Sequence, residues 1–168
     1  GKKMGMLGLT AVMGFNMGWT PYFLKRGEKV GARIEFAKIA TLFTGIMGYI
    51  SMMVSIWISE IMQFSIFGRP LIGAEFWSCE PVVSAILLAY FFFGTYVIQL
   101  PGIYMKEITN WVPVFRIVGA MTLFLTSIWL IPTYGFIGAA YGVVLAFIAM
   151  SISIYIKTYR IYTVPYNW

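Results

Sequence analysis

Histidine is absent from this 168-residue chain, cysteine occurs once, at Cys79, and only 11% of the residues carry charge. The first absence removes the commonest general base and the commonest metal ligand. The second excludes an intramolecular disulfide and any cysteine-based metal cluster. The third is the most restrictive. A soluble domain carries about a quarter charged residues to cover its surface, and twelve basic and six acidic side chains cannot do that here. No nucleophile stands near a base, no residue set forms a metal cage, and no phosphate-cradling loop runs into Gly-Lys-Ser/Thr. Neither an enzyme nor a cofactor is expected. The chain starts Gly-Lys-Lys with no initiator methionine and without the charged-apolar-small pattern of a secretory signal, so it reads as a piece of something longer.

What is there is apolar. Hydrophobic residues make up 60% of the chain and aromatics 18%, with a mean hydropathy of +0.82. Lipid must solvate most of such an outer surface. About 20 residues at 1.5 Å rise cross a bilayer core of about 30 Å. Five stretches have that length: 4–24, 39–59, 82–105, 111–131 and 136–156. The expected fold is an all-α polytopic membrane bundle of about five transmembrane helices. The segment 60–81, mostly apolar but carrying Glu60, Arg69, Glu75 and Glu80, reads as one or two short helices in the outer interface, with Phe76 and Trp77 at headgroup depth. Its three carboxylates could alternatively receive a cationic solute.

The net charge of +6 suggests nucleic acid only until the positions are read. Lys25, Arg26, Lys29, Arg33, Lys38, Lys106, Arg116, Lys157 and Arg160 fall in alternate connections and the tail, while Lys2, Lys3 and Arg69 fall on the other side. This is the positive-inside pattern, which places the C-terminus in the cytoplasm; no nucleic-acid partner is expected. Membrane lipids are, since the tail sets Tyr159, Tyr162, Tyr166 and Trp168 among cations just past the last span, and such a belt attracts anionic headgroups.

A few residues inside the spans carry chemistry. Asn16, Trp19 and Gln99 are polar groups in apolar surroundings, and each needs either a partner on a neighbouring helix or a wet cavity. Pro21 and Pro101 each remove a backbone hydrogen bond, and mark a hinge or a helix end. Gly14 with Gly18, and Gly138 with Gly142, have the four-residue spacing that lets helices approach closely in lipid. Arg116 lies about one turn inside the fourth span. It either snorkels to the inner face or contacts an anion there, the guanidinium fork matching a phosphate; Arg33 and Lys29 could join it. No carboxylate lies mid-span.

Around the last two spans, the run IPTYGFIGAAYGVVLAF sets an Ile-Pro (Ile131, Pro132), a Tyr-Gly turn (Tyr134, Gly135) and a Gly-Ala-Ala helix start (Gly138, Ala139, Ala140) in order. This run resembles the signature of oligosaccharide flippases of the polysaccharide-biosynthesis (Wzx-like) family, in the multidrug/oligosaccharidyl-lipid/polysaccharide exporter superfamily. GWTPYFLKR (18–26), EFWSCEPVVSAILLAYFFFGTY (75–96) and TVPYNW (163–168) are similar to other family stretches, in family order. Where the family has two asparagines four residues apart, this chain has Leu123 and Ser127, so any role of those amides is not carried here. The resemblance implies two six-helix lobes about a central cleft, with this chain as most of the second lobe and an N-terminal lobe missing. It implies outward flipping of a polyprenyl-pyrophosphate-linked oligosaccharide across a bacterial inner membrane, with Arg116, Arg33 and Lys29 toward the pyrophosphate. Pro132, Gly135, Gly138 and Gly142 would shape the packing. Two alternatives stay open: a multidrug or cation antiporter of the same superfamily, and a non-transporting membrane scaffold.

Overall fold

A computed structural model describes residues 2–27, 29, 31–66, 69–70 and 80–161. Helices dominate: α1 (Lys2–Arg26), α2 (Ala32–Ile56), α3 (Ile58–Gln63), α4 (Glu80–Ile98), α5 (Pro101–Tyr104), α6 (Trp111–Tyr134) and α7 (Phe136–Ile161). Between α3 and α4, β1 (Ser65–Ile66) and β2 (Arg69–Pro70) pair antiparallel, Ser65 opposite Pro70 and Ile66 opposite Arg69. This short pairing stands where interfacial helices are expected; among the described residues there, α3 is the one short helix before α4 begins. Phe76, Trp77 and Glu75 lie outside the described residues, as do Tyr162, Tyr166 and Trp168 of the tail.

Among the described residues, four helices are long and apolar enough to cross a membrane: α2, α4 continued through α5 as Glu80–Tyr104, α6 and α7. The remaining expected span, 4–24, lies in α1. That helix has the length, 25 residues, but Asn16, Trp19, Thr20, Pro21 and Tyr22 dilute its second half below the apolar density of the others. Pro21 does not end α1, which continues to Arg26.

The core sits around α4, which packs against α1 and α2 and, more extensively, against α7; α6 is held mainly by α7. α4 is therefore buried on several sides, and it reads as a nearly continuous apolar run from Val82 to Ile98. Consecutive α1 and α2 scarcely meet along their backbones, and rings fill the space between them. Phe15 stacks on Phe43 at 3.9 Å between centroids, and Phe36 meets Trp19 edge-on at 5.5 Å. These flat side chains bury large areas and tolerate a wide helix separation.

The α6–α7 hairpin is the opposite case, a close approach made by small residues. Pro132 stands inside α6, whose Ile131 carbonyl accepts the Gly135 N–H at 2.8 Å. Gly135 ends the helix at φ 59°, a conformation suited to glycine. α7 then folds straight back, so a Cβ on Gly138 would run into the Leu130 backbone, and one on Gly142 would touch Leu123, Thr126 and Ser127. Leu123 and Ser127 thus pack on α7. Gly14 and Gly18 behave differently from expectation: their faces are exposed and a Cβ on either would meet nothing within 4 Å. Rings on the other side of α1 hold it in place, so its small-residue face is left outward.

Candidate functional site

The geometry of interest begins at Pro101. Proline has no N–H, so Val97 cannot receive a regular helical bond from it. The backbone tightens instead. The Gln99 N–H bonds the Tyr96 carbonyl and the Leu100 N–H bonds the Val97 carbonyl, both at 3.2 Å and both over three residues, the 3₁₀ pattern. The Thr95 carbonyl loses its regular donor in this way, and the Gln99 side chain replaces it, Nε2 donating at 2.7 Å.

A polar chain runs from this break into α7. The Thr95 hydroxyl donates to the Phe92 carbonyl at 2.7 Å. Its 2.8 Å contact with Ser151 Oγ therefore has Ser151 as donor, since Thr95 has spent its only proton. Ser151 in turn accepts from Gln99 Nε2 at 3.2 Å. One group is left over. Gln99 is 3% exposed, and its Oε1 is buried with no partner among the described residues. Such an acceptor costs about 1–3 kcal/mol when unmade. The three side chains line a cavity of about 270 Å³ between α4 and α7, walled by Phe92, Ile148 and Tyr155. Chemically, the site joins α4 to α7 through polar side chains beside an otherwise apolar pocket and leaves one buried acceptor, Gln99 Oε1, unmet.

Cations occupy one end of the bundle. Phe23 meets Tyr104 at 5.6 Å between rings, so the end of α1 lies beside α5. Lys157 lies over Trp111 at 3.6 Å, which puts the end of α7 beside the start of α6. Lys25, Arg26, Lys29, Arg33, Lys106, Arg116, Lys157 and Arg160 belong to these neighbouring termini and connections. Arg26 is committed locally, bonding Glu35 Oε2 at 3.0 Å while the Tyr22 hydroxyl donates to the same oxygen at 3.1 Å. Both charged side chains are nearly half exposed, and such pairs contribute little, about 0–1 kcal/mol.

The sequence candidates do not form a single cluster. Lys29 and Arg33 are exposed together on the α1–α2 connection and the first turn of α2. Arg116 is exposed on the second turn of α6, close enough to act electrostatically on the Tyr96 hydroxyl of α4, which is buried with no hydrogen-bond partner among the described residues. Asn16 is half-buried on α1 and its Oδ1 accepts from Thr20 at 3.1 Å. The Trp19 indole N–H is buried with no partner among the described residues. Gln99 alone stands in an interior polar site. Glu80, read as one of three carboxylates that could receive a cation, accepts from Ser59 at 2.7 Å and tethers α3 to α4; Glu60 is exposed.

Ser151 was invisible as a partner of Gln99, being 52 positions away on another helix. The one signal that could have found the site is a glutamine two residues before a proline inside an apolar run. A wider groove of about 500 Å³ lies nearer the other end of α4, lined by Ser51, Ser55, Ser84 and Tyr141 among apolar side chains. Among the described residues no group of three or more His, Cys, Asp or Glu side chains is placed to hold a metal.

Helices of this length and apolarity, packed around an equally apolar α4, define the chain as a helical membrane protein. No family model matches it, and no curated protein or solved structure is significantly similar to it.

Proposed function

We propose that this chain is part of a membrane exporter that flips a lipid-linked oligosaccharide outward across a bacterial inner membrane by alternating access, with its C-terminus in the cytoplasm. The carrying observation is the interrupted α4, whose Pro101 break combines a hinge point with an interior amide at Gln99 beside a cavity. Discontinuous helices whose breaks carry polar backbone or amide groups are how transporters line a cavity with binding groups. Here the break lies toward the basic end of the span Glu80–Tyr104. Two further features fit. The cation-rich end, Arg116 included, suits a pyrophosphate approaching from the cytoplasm. The serine- and tyrosine-lined groove toward the other end offers hydroxyls and an aromatic face to a sugar.

The antiporter alternative needs a titratable carboxylate within the membrane. Among the described residues Glu35, Glu60, Glu80 and Glu107 stand at helix ends or in connections, so nothing in this part of the protein favours that reading. Alternating access also needs a second lobe, and the working unit is the full-length protein.

The test is reconstitution of the full-length protein in proteoliposomes with a fluorescent polyprenyl-pyrophosphate-linked oligosaccharide in one leaflet. Translocation above protein-free vesicles is expected, slowed at least tenfold by Arg116→Ala at equal protein content. No translocation, with counter-transport of a cationic dye against protons in its place, would replace this reading by the antiporter. Inactivity in both assays would leave the scaffold.

A further inference from the structure

The second feature of the basic end is a groove that the transport reading does not use. It lies between the first half of α6 and the last half of α7, encloses about 550 Å³, and is lined by Trp111, Val114, Val118, Ile156, Lys157 and Arg160 among others. That volume is in the range of sites for small ligands. Its two walls follow from helix periodicity. Positions 111, 114 and 118 share one stripe of α6, and 153, 156, 157 and 160 share one stripe of α7. The antiparallel hairpin brings these stripes face to face.

Charge is confined to one end. Lys157 and Arg160, three residues apart on α7, stand at the rim, and the Lys157 ammonium rests over the Trp111 ring at 3.6 Å. No carboxylate lines the groove, and among the described residues neither cation is in an ion pair; Arg26 with Glu35 makes the pair found there. The floor has no unmet polar group. Ser153, its hydroxyl, donates to the Met150 carbonyl at 2.8 Å, leaving Val114, Val118 and Ile156 as an apolar bed. Trp111, Val114 and Ile156 are each more than a third exposed, so the groove opens sideways, where the bilayer is.

We propose that this groove is a binding site for one anionic phospholipid, its phosphate between Lys157 and Arg160 and one acyl chain along Val114, Val118 and Ile156. A soluble phosphate would use the rim but not the bed. A zwitterionic lipid would use the bed but would gain little from two cations lacking any acid between them. An anionic amphiphile uses both, and Trp111 marks the headgroup depth at which they meet. Held there, the lipid ties the end of α7 to the start of α6.

The full-length protein in detergent, titrated with phosphatidylglycerol and followed by native mass spectrometry, tests this. Each cation near a headgroup contributes about fivefold in affinity, so Lys157→Gln with Arg160→Gln is expected to lose roughly twentyfold. Val118→Trp, which fills the bed and keeps both charges, is expected to lose binding as well, whereas Lys157→Arg with Arg160→Lys retains it. Lys25→Gln with Lys106→Gln removes equal charge elsewhere at this end and is expected to change binding less than threefold. Equal retention of phosphatidylcholine, equal competition by inorganic phosphate, or equal losses in the two charge-removal pairs would each overturn the site. The outcome is independent of whether the protein transports anything.

Discussion

Replacing Gly138 by alanine adds one methyl group at the tightest point of the α6–α7 hairpin. The new Cβ would lie closer than 3.0 Å to the Leu130 carbonyl oxygen and carbon. A flexible side chain could rotate away from such a contact, but a backbone carbonyl inside a helix cannot. The two helices must separate or the corner at Gly135 must distort. Overpacking of this kind costs about 1–3 kcal/mol, and the greater helix propensity of alanine returns up to about 1 kcal/mol. The net expectation is a loss of about 1–2 kcal/mol, or roughly a five- to thirtyfold drop in the folding equilibrium. Gly14→Ala and Gly18→Ala have the same chemistry with nothing in the way, so they should be neutral or stabilising by up to about 1 kcal/mol. Unfolding of the full-length protein in mixed micelles by increasing dodecyl sulfate, monitored by tryptophan fluorescence, reads all three against wild type. If Gly138→Ala proved as stable as Gly14→Ala, the close approach of α6 and α7 would be wrong. A marked loss on Gly14→Ala would instead mean that the outward face of α1 is packed in the intact protein.

Gln99→Leu removes the interhelical bond to Ser151, typically about 0.6 kcal/mol in a membrane protein, and the bond that satisfies the Thr95 carbonyl. The variant also loses the unmet buried Oε1 acceptor, which roughly offsets the carbonyl left bare. Its stability in the same assay should therefore lie within about 1 kcal/mol of wild type, while translocation falls at least tenfold; parallel loss of both would make Gln99 a packing residue only. Orientation is checked with Lys29→Cys, Lys106→Cys and Arg160→Cys in a Cys79→Ser background, using a membrane-impermeant maleimide. All three should label only from the cytoplasmic side, and split labelling would overturn the proposed topology.

Legibility differed by element. Four of the five expected spans were plain because 20-odd almost uncharged apolar residues have few other uses, and α6 begins at Trp111 and α7 at Phe136, as their patterns indicate, while 4–24 forms a helix of lower apolar density. In the segment after Ser59 one short helix, α3, is present as read, while the β1–β2 pairing beyond it was not legible, since two-residue strands are too short to impose any period on a sequence. Pro101 left hinge or terminus undecided, because the difference depends on whether something replaces the lost hydrogen bond. Here the Gln99 side chain does so, and its partner Ser151 comes from another helix. The two glycine pairs look identical as patterns, yet one is a helix contact and the other is outward-facing.

Composition alone was enough to place this chain among helical membrane proteins, since transfer free energy depends on which residues are present and in what run, without reference to their neighbours. Charge spacing along the chain likewise assigned the basic connections to a common side, because helix length leaves alternate loops no choice. Which faces meet was decided only by tertiary structure. Lipid solvates any apolar face as well as another helix would, so hydrophobicity does not select a partner within the bilayer. Selection falls to shape and hydrogen bonding: the close fit at Gly138, the rings between α1 and α2, and the Thr95–Gln99–Ser151 chain.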